Sequence, residues 1–281
     1  MLVFGIISLL PARAFFMLKF YILISNNVGS LLRHLSPYYS GLSSEDMEVV
    51  INSLDDTFIR DAIHFCKENG IRYHLTESNG TPAKGKNELL KIFEESDNDY
   101  MVQIDGDDYL TPYGVWLYKK VAAGKRVPDI ICLKNQIAVV MEGKMFEESE
   151  KSLRKFFTID YENMDYGTIF SSMSKRIPEE RAHLYTEYHK TFYANSQKYC
   201  DDHESHCRVV FFSKKAAKHR FDENFVVGED TLHYLTLKNE HFEGNINMVV
   251  NDEAPASYIY DQLQGYGTVW TTSKGLSLIH I

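Results

Sequence analysis

The chain of 281 residues is long enough for one large domain with a buried core, and its 44% apolar and 25% charged content are typical of a globular protein. A formal net charge of −9 excludes a chain that is basic throughout and wraps nucleic acid, although it is compatible with a local basic patch. The cysteines are widely spaced, which favours buried thiols in a reducing, cytoplasmic location: Cys66, Cys132, Cys200 and Cys207.

The two ends of the chain are predicted to lie outside the fold. Residues 1–16 contain an apolar run, Leu2–Leu10, that is too short to span a bilayer and lacks the basic start of a leader peptide. Met17 opens a strand-like run, so we expect translation from there; a functional leader or a short membrane-touching segment is the alternative. Residues 266–281 end on an apolar run without a polar tail, which we interpret as a truncated or foreign tail without function.

The first half of the chain alternates strand-like and helix-like segments. Apolar, β-prone runs predict four strands at Lys19–Ser25, Met47–Asn52, Ile71–Leu75 and Tyr100–Ile104. Apolar residues at helical spacing predict three helices between them: Ser30–Ser40 with Leu31, Leu32 and Leu35 inward, Thr57–Asn69 with Ile59, Ala62, Ile63 and Cys66 inward, and Lys86–Glu95 with Leu89, Leu90 and Phe93 inward. Such short connections imply a parallel sheet covered by helices, whose ligands bind at the carboxyl ends of the strands.

The second half of the chain is less regular. Four further strands and one helix are predicted, at Asp129–Leu133, Gln136–Met141, Arg208–Phe212 and Asn245–Val250 for the strands and at Glu229–Lys238 for the helix. Residues 146–200 are polar and aromatic with mixed charges, and we expect helices packed beside the sheet there.

Three carboxylates, Asp105, Asp107 and Asp108, directly follow the fourth predicted strand. Two carboxylates about 4 Å apart repel by roughly 4 kcal/mol at an effective dielectric constant near 20. Mg²⁺ or Mn²⁺, which binds carboxylate oxygens and takes substrate phosphates as further ligands, would relieve that repulsion. An Asp-rich turn that closes the strand is the alternative.

Four segments, in this order along the chain, resemble the family 2 glycosyltransferases of the GT-A fold. They are KFYILISNN at 19–27, ESNGTPAKGKNELL at 77–90, IDGDDYLTP at 104–112 and VVGEDTLHYLTL at 226–237. The resemblance implies an α/β GT-A fold with a mainly parallel central sheet and helices on both faces. It also implies a nucleotide-sugar-binding half at 17–142 and an acceptor-side half with the catalytic base at 143–265.

The resemblance further implies roles for individual residues. Asp107 and Asp105 would bind the metal ion, with Asp105 shared with the ribose, whereas Asp108 would either orient the other two or be structural. Asp230, beside Glu229, would be the catalytic base; a plain charge at a helix N-terminus is the alternative. The donor would be bound by Ser25, Asn27, Asn52, Asp55, Lys86, Asn87, Asp105 and Gly106.

The chain departs from the family pattern in the donor-binding segments. The family's second strand usually ends in Asp-Asp-Gly-Ser, and its first Asp reads the nucleobase. Here the text from Asn52 to Asp55 is N-S-L-D, so that either Asn52 reads the base or Asp55 does after a two-residue insertion. Lys86 stands where the family has Arg. A UDP-sugar is the favoured donor.

The function that we expect is a metal-dependent, inverting glycosyltransferase that moves a sugar from a nucleotide-diphospho-sugar to a hydroxyl, most commonly of a glycan. A glucosyltransferase acting on hydroxymethylated DNA bases is one alternative, against which the net charge counts because phosphate contacts dominate DNA affinity. A non-catalytic glycan- or nucleic-acid-binding protein on the same fold is another. A sugar-phosphate nucleotidylyltransferase would need a Gly-rich signature after the first strand, which residues 26–29 do not provide.

Three weaker patterns leave two interpretations each. Cys200–Cys207 contains two Cys and two His and could bind zinc, although a loop near the acceptor is favoured. Ser257–Gly267 is Tyr- and Gly-rich and predicts either core packing or a lid over the sugar. The basic run Lys214–Arg220 predicts a solvated helix face or a patch for an anionic acceptor.

Overall fold

The structure is a computed structural model that describes residues 17–37, 39–133, 138–141, 144–145, 170–172, 208–224, 229–252 and 257–261. Several sequence-based predictions therefore lie outside the described residues, namely those for 1–16, 146–169, 173–200, Cys200–Cys207 and 266–281.

The described residues form twelve strands, and all eight predicted strands are confirmed with their ends shifted by at most three residues. The strands are β1 Leu18–Ile24, β2 Met47–Ile51, β3 Arg72–Leu75, β4 Tyr100–Asp105, β5 Tyr109–Leu110, β6 Ile130–Leu133, β7 Ala138–Met141, β8 Lys144–Met145, β9 Phe170–Ser172, β10 Val209–Ser213, β11 Met248–Asn251 and β12 Tyr258–Asp261.

Five α-helices accompany the strands in the described part of the chain: α1 Leu31–Leu35, α2 Asp56–Glu68, α3 Pro82–Glu95, α4 Pro112–Ala122 and α5 Glu229–Phe242. Short 3₁₀ turns lie at Val28–Ser30 and Ala216–Lys218. Helices α3 and α4 begin in the same way, because Thr81 or Thr111 caps the first turn with its hydroxyl and a proline follows at the first helical position.

The main sheet has the strand order β3-β2-β1-β4-β10-β6-β11-β9. β3, β2, β1 and β4 are parallel to one another, and so are β6 and β11. β10 is antiparallel to both of its neighbours, and β9 is antiparallel to β11. The predicted mainly parallel sheet is confirmed, and the carboxyl ends of β1, β2 and β4 meet at one edge. A second sheet has the order β5-β12-β7-β8.

Apolar side chains alternate along each strand and supply two cores, one on each face of the main sheet. Phe20 and Ile22 of β1 pack with α1, α2 and α4 on one face. Tyr21 of the same strand packs with Leu90 of α3 and Tyr234 of α5 on the other. The prediction of helices on both faces is therefore confirmed. The thiols of Cys66 and Cys132 are buried, as predicted.

The structure corrects the predicted helix Ser30–Ser40. Helix α1 ends at Leu35, and Ser36 is already extended at ψ 128° because it precedes Pro37, which disfavours the helical conformation. In this short helix Leu31 is buried, but Leu32 is 58% exposed and was wrongly assigned to the core.

The structure also corrects two helix limits and adds one helix. α3 begins four residues before the predicted start at Lys86, and α5 continues four residues beyond the predicted end at Lys238. Helix α4 was not predicted from the sequence. Within the described ranges, no helix is both long and apolar enough to cross a bilayer.

Candidate active site

The acidic cluster lies in a tight turn at the carboxyl end of β4. Asp105 is the last residue of the strand, and the amide of Asp108 donates to the carbonyl oxygen of Asp105 at 2.9 Å. A Cβ atom at Gly106 would lie 2.6 Å from the carbonyl oxygen of Leu23, so the turn packs directly against the end of β1. Only glycine fits at this position, because the backbone leaves no room for a side chain.

A partly buried arginine joins two of the three carboxylates. Arg208, which directly precedes β10, places Nη2 3.1 Å from Oδ2 of Asp105, and its Nη1 donates to Oδ2 of Asp108. The hydroxyl of Tyr258 donates to the same Asp108 oxygen at 2.7 Å and accepts from Nη1 of Arg208 at 3.0 Å. The side chain of Asp108 is fully buried, and burial raises the pKa of its carboxyl well above the usual value although the charge of Arg208 opposes this.

Asp107 is in a different environment from its two neighbours. None of the described side chains donates a hydrogen bond to its carboxylate, whereas Nη1 of Arg33 donates to its main-chain carbonyl oxygen at 3.3 Å. Burial, and after it the charge of Asp105, raises the pKa of Asp107 to about 6. A cation bound at this carboxylate would offset both effects.

A second cation-centred cluster lies beside the first. Lys86 of α3 places Nζ 2.9 Å from Oε1 of Glu229 and donates to Oδ1 of Asp230. The same Nζ lies 4.0 Å from Oδ2 of Asp105. Lys86 therefore brings together two parts of the predicted site, the acidic turn after β4 and the first turn of α5, which are distant in sequence.

The electrostatics of this second cluster keep Asp230 ionised. Burial acts in the opposite direction, but the charges of Lys86 and Arg208 lower the pKa of Asp230 below its usual value. Burial raises the pKa of Glu229 although Lys86 opposes it. Burial likewise disfavours the charged form of Lys86, but Asp230 and Glu229 raise its pKa overall, so it stays protonated. A carboxylate that is ionised at neutral pH and 37% exposed can accept a proton from a substrate.

A divalent cation would be held jointly by Asp107, Asp105 and a substrate. Within the described ranges, no three carboxylate, imidazole or thiol side chains converge closely enough to hold a metal ion by themselves. Mg²⁺ commonly uses one or two protein carboxylates and takes substrate phosphates as its other ligands. The donor set therefore fits Mg²⁺ or Mn²⁺ bound together with a diphosphate.

The two residues proposed to read the nucleobase have different environments. The amide nitrogen of Asn52 donates to Oγ1 of Thr76 at 2.8 Å and to the carbonyl oxygen of Glu77 at 2.9 Å. Asp55 is exposed, and its carboxylate caps α2 by accepting from the amides of Thr57 and Phe58. Asn52 lies at the carboxyl end of β2, whereas the side chain of Asp55 already serves the helix.

The other predicted donor-binding residues do not all lie in the same part of the fold. Ser25 and Asn27 lie in the loop at the carboxyl end of β1, near the turn that contains Gly106. Asn87 instead joins α3 to the segment before α5, because its side chain donates to the carbonyl oxygen of Phe221 at 3.0 Å and accepts from the amide of Phe221 at 2.8 Å.

Sequence reasoning missed the residues that hold the acidic turn, Arg208 and Tyr258. Arg208 opens a predicted strand, and an arginine beside a buried apolar run is a signal that could have suggested a buried charge partner. Tyr258 belongs to the Tyr-rich segment for which core packing was one of two interpretations, and it is fully buried.

Lys214, the first residue of the basic run after β10, has a structural role. Nζ of Lys214 donates to the carbonyl oxygens of Phe93 and Glu94 at the end of α3, at 2.6 and 2.8 Å. Cations at this position satisfy the last carbonyl groups of a helix and interact favourably with its dipole. Lys215 and Lys218 are exposed, as expected for a solvated face.

The mainly parallel sheet with helices on both faces is the arrangement of the GT-A fold. Crystal structures of TarS from S. aureus share this fold with the chain. The match to TarS 1-349 with UDP-GlcNAc has a TM-score of 0.52 and 16% identity and covers 89% of this chain and 60% of that one. TarS 1-349 with UDP gives a TM-score of 0.50 and 15% identity over 86% of this chain and 60% of the other.

A further crystal structure of TarS 1-349 gives a similar result, with a TM-score of 0.50 and 16% identity over 87% of this chain and 60% of that chain. The chain thus spans 60% of the length of these TarS structures. No family model and no curated protein matches the sequence. The comparisons confirm the predicted GT-A fold.

Proposed function

We propose that the chain is a metal-dependent glycosyltransferase that transfers a sugar from a nucleotide-diphospho-sugar to a hydroxyl acceptor with inversion. The observation that carries this proposal is the position of Lys86, which contacts Asp230 and lies 4.0 Å from Asp105. Lys86 thus brings a metal-binding carboxylate and a base close together, as is required if one sugar is to be held between them. The fold shared with TarS, whose crystals contain UDP-GlcNAc or UDP, supports a nucleotide-sugar donor.

In this proposal each carboxylate has a separate task. Asp107 and Asp105 hold Mg²⁺ or Mn²⁺ against the donor diphosphate. The cation supplies Lewis-acid stabilisation of the negative charge that develops on the leaving group. Asp230 accepts the proton of the acceptor hydroxyl, and Lys86 keeps it ionised before the acceptor arrives. A single displacement with one base inverts the configuration at the sugar carbon.

We further propose that Asn52, rather than Asp55, reads the nucleobase, and that the base is uracil. Both hydrogens of the Asn52 amide are used by Thr76 and Glu77, so its carbonyl oxygen is the group it offers to a ligand. Gly85 leaves space at this oxygen, because a Cβ atom there would lie 3.2 Å from it. Uracil carries a ring N–H that can donate to this oxygen, whereas the corresponding ring nitrogen of cytosine is an acceptor.

A glycan hydroxyl is the acceptor that we propose. The buried thiols of Cys66 and Cys132 support the reducing, cytoplasmic location expected from the sequence.

The central test is donor hydrolysis and UDP binding in the presence of Mn²⁺. Asp107→Ala should abolish Mn²⁺-dependent UDP binding, and Asp230→Asn should retain this binding but lose at least about 100-fold in turnover. Asp61→Asn, an exposed carboxylate of α2, is the matched control and should leave both unchanged. UDP binding that ignores a chelator would contradict the metal-dependent reaction.

A second test distinguishes the two candidates for base recognition. Asn52→Ala should weaken UDP binding about tenfold, because a hydrogen bond to the base and the support of Thr76 are both lost. Asp55→Ala should leave UDP binding unchanged and lower the free energy of unfolding by about 1 kcal/mol through loss of the helix cap. CDP that binds as tightly as UDP would contradict the assignment of uracil.

A further inference from the structure

Asp108, Arg208 and Tyr258 form a hydrogen-bonded group beneath Asp105 that the proposed reaction does not use directly; we name it the Arg208 anchor. Its members are distant in sequence, since Arg208 is 100 residues and Tyr258 150 residues after Asp108. All three groups are polar and largely or wholly buried. Because their removal from water costs free energy, we expect the arrangement to have a role beyond the burial of surface.

The geometry of the guanidinium suits the orientation of two carboxylates at once. Arg208 contacts Oδ2 of Asp105 through Nη2 and Oδ2 of Asp108 through Nη1, so one planar group fixes both. Among the described residues, the other oxygen of Asp105, Oδ1, has one long contact of 3.5 Å, with the side-chain amide of Gln103. Asp105 is thus held through one oxygen, and the second oxygen is held only weakly.

Tyr258 is itself held firmly by the main chain around it. The carbonyl oxygen of Ser257 accepts from the amide of Thr111 at 3.0 Å, and Tyr258 pairs with Leu110 in the second sheet. Gly114 of α4 packs against the same carbonyl oxygen, since a Cβ atom there would lie 2.1 Å from it. The hydroxyl of Tyr258 is therefore delivered to Asp108 by a rigid contact between α4 and β12.

We propose that the Arg208 anchor positions Asp105 for the divalent cation, so that Asp107 and the weakly held oxygen of Asp105 form the protein's part of the metal site. Asp108 is then an internal counter-ion of Arg208 and not a metal ligand. The inference rests on the proposed metal-dependent function, and it assigns positioning roles to two residues that contact neither metal nor donor. Partners that orient metal ligands typically change metal affinity by about 10- to 100-fold when they are removed.

The test measures the Mn²⁺ concentration that gives half-maximal UDP binding. Arg208→Lys, which keeps the charge but cannot bridge two carboxylates, should raise this concentration about tenfold or more. Tyr258→Phe, which removes one hydrogen bond and keeps the ring, should raise it about fivefold. The double variant should show less than the product of the two effects, because both residues act through Asp108. At saturating Mn²⁺, UDP affinity should return to the wild-type value in every case.

Matched controls separate the possible outcomes. Arg220→Lys, on the segment after β10 and paired with Glu94, should leave the half-saturating Mn²⁺ concentration unchanged. A thermal melt of each variant checks folding, and Tyr258→Phe carries the test if Arg208→Lys does not fold.

Three outcomes would contradict the proposals. If wild-type UDP binding depends on Mn²⁺ but Tyr258→Phe reaches half-maximal binding at the same Mn²⁺ concentration, the anchor alone is overturned. Wild-type UDP binding that ignores Mn²⁺ would overturn the proposed function and the anchor with it. UDP affinity that stays low at saturating Mn²⁺ would make Arg208 a ligand of the diphosphate and overturn its positioning role.

Discussion

Two cation-centred clusters flank Asp105, and they differ in how tightly they hold their carboxylates. One is the base cluster of Lys86, Glu229 and Asp230, and the other is the Arg208 anchor, and both cations approach Oδ2 of Asp105. Lysine offers a compact charge on a flexible stem, whereas arginine offers a planar fork with fixed donor directions. The Asp230 side chain is 37% exposed, while that of Asp108 is fully buried.

This difference suits two separate roles for the carboxylates of one site. A carboxylate that takes a proton from a substrate must be reachable and must be able to exchange its partner. A carboxylate that fixes the geometry of its neighbours should be buried and fully hydrogen-bonded. The cluster around Lys86 meets the first requirement, and the Arg208 anchor meets the second.

Replacing one carboxylate from each cluster by its amide should lower stability by different amounts. Asp108→Asn leaves Arg208 without a buried counter-ion and should lower the free energy of unfolding by about 3–5 kcal/mol. Asp230→Asn removes a partly exposed partner of Lys86, whose pairing is screened by solvent, and should cost about 1 kcal/mol or less. Urea denaturation measures both changes.

The same two variants should rank in the reverse order for turnover at saturating Mn²⁺. Asp230→Asn should lose the reaction, whereas folded Asp108→Asn should retain a measurable part of it. Equal losses of stability in the two variants would show that the clusters do not differ as described.

The contact between α4 and β12 supports only the anchor, so a variant there should distinguish the clusters further. Gly114→Ala would place a Cβ atom 2.1 Å from the carbonyl oxygen of Ser257, and two main-chain segments would have to separate. We expect a loss of about 3 kcal/mol in the free energy of unfolding together with weaker Mn²⁺-dependent UDP binding. Lys120→Ala, an exposed change on the same helix, should stay within about 0.5 kcal/mol of the wild type. A Gly114→Ala protein of wild-type stability would refute the rigid contact.

The base cluster and the anchor also differ in how far the sequence could predict them. Asp105, Asp107, Lys86 and Asp230 occur in local segments that resemble a known pattern, and the structure brings Lys86, Asp105 and Asp230 together. Arg208 has no such local signal, because its partner Asp108 is 100 residues away and the pairing exists only once β10 has inserted between β4 and β6. A contact between residues that are distant in sequence cannot be predicted from one local segment.

The missed helix α4 shows a different limit of sequence reasoning. Thr111 and Pro112 are a capping signal that was available, but the helix that follows is apolar on nearly all sides. Helical periodicity becomes visible when one face is polar, and most residues of α4 are buried, with Lys119 and Lys120 among the few exposed ones. The strands were predicted better because their apolar runs are short and are bounded by turn residues.

Acidification should lower the free energy of unfolding through two buried histidines, His34 and His233. His34 follows Arg33, which donates to the carbonyl oxygen of Asp107, and His233 lies one helical turn after Asp230. Burial lowers the pKa of His34 to about 3 and the pKa of His233 to about 4, with the charge of Arg33 adding to the effect at His34. Neither ring nitrogen of His34 has a hydrogen-bond partner among the described residues.

Both rings are neutral in the folded protein at pH 7, whereas the unfolded chain takes up a proton on each near pH 6.5. The unfolded state therefore binds more protons below pH 6.5, so stability is highest above that pH and falls as the pH drops towards 4. His34→Leu removes one of these protons and should reduce the loss of unfolding free energy between pH 7 and 5 by about 2 kcal/mol. His64→Leu, a change at an exposed residue of α2, is the control, and urea denaturation at the two pH values measures the difference. If His34→Leu loses stability on acidification as steeply as the His64→Leu control, His34 is not held neutral in the folded protein.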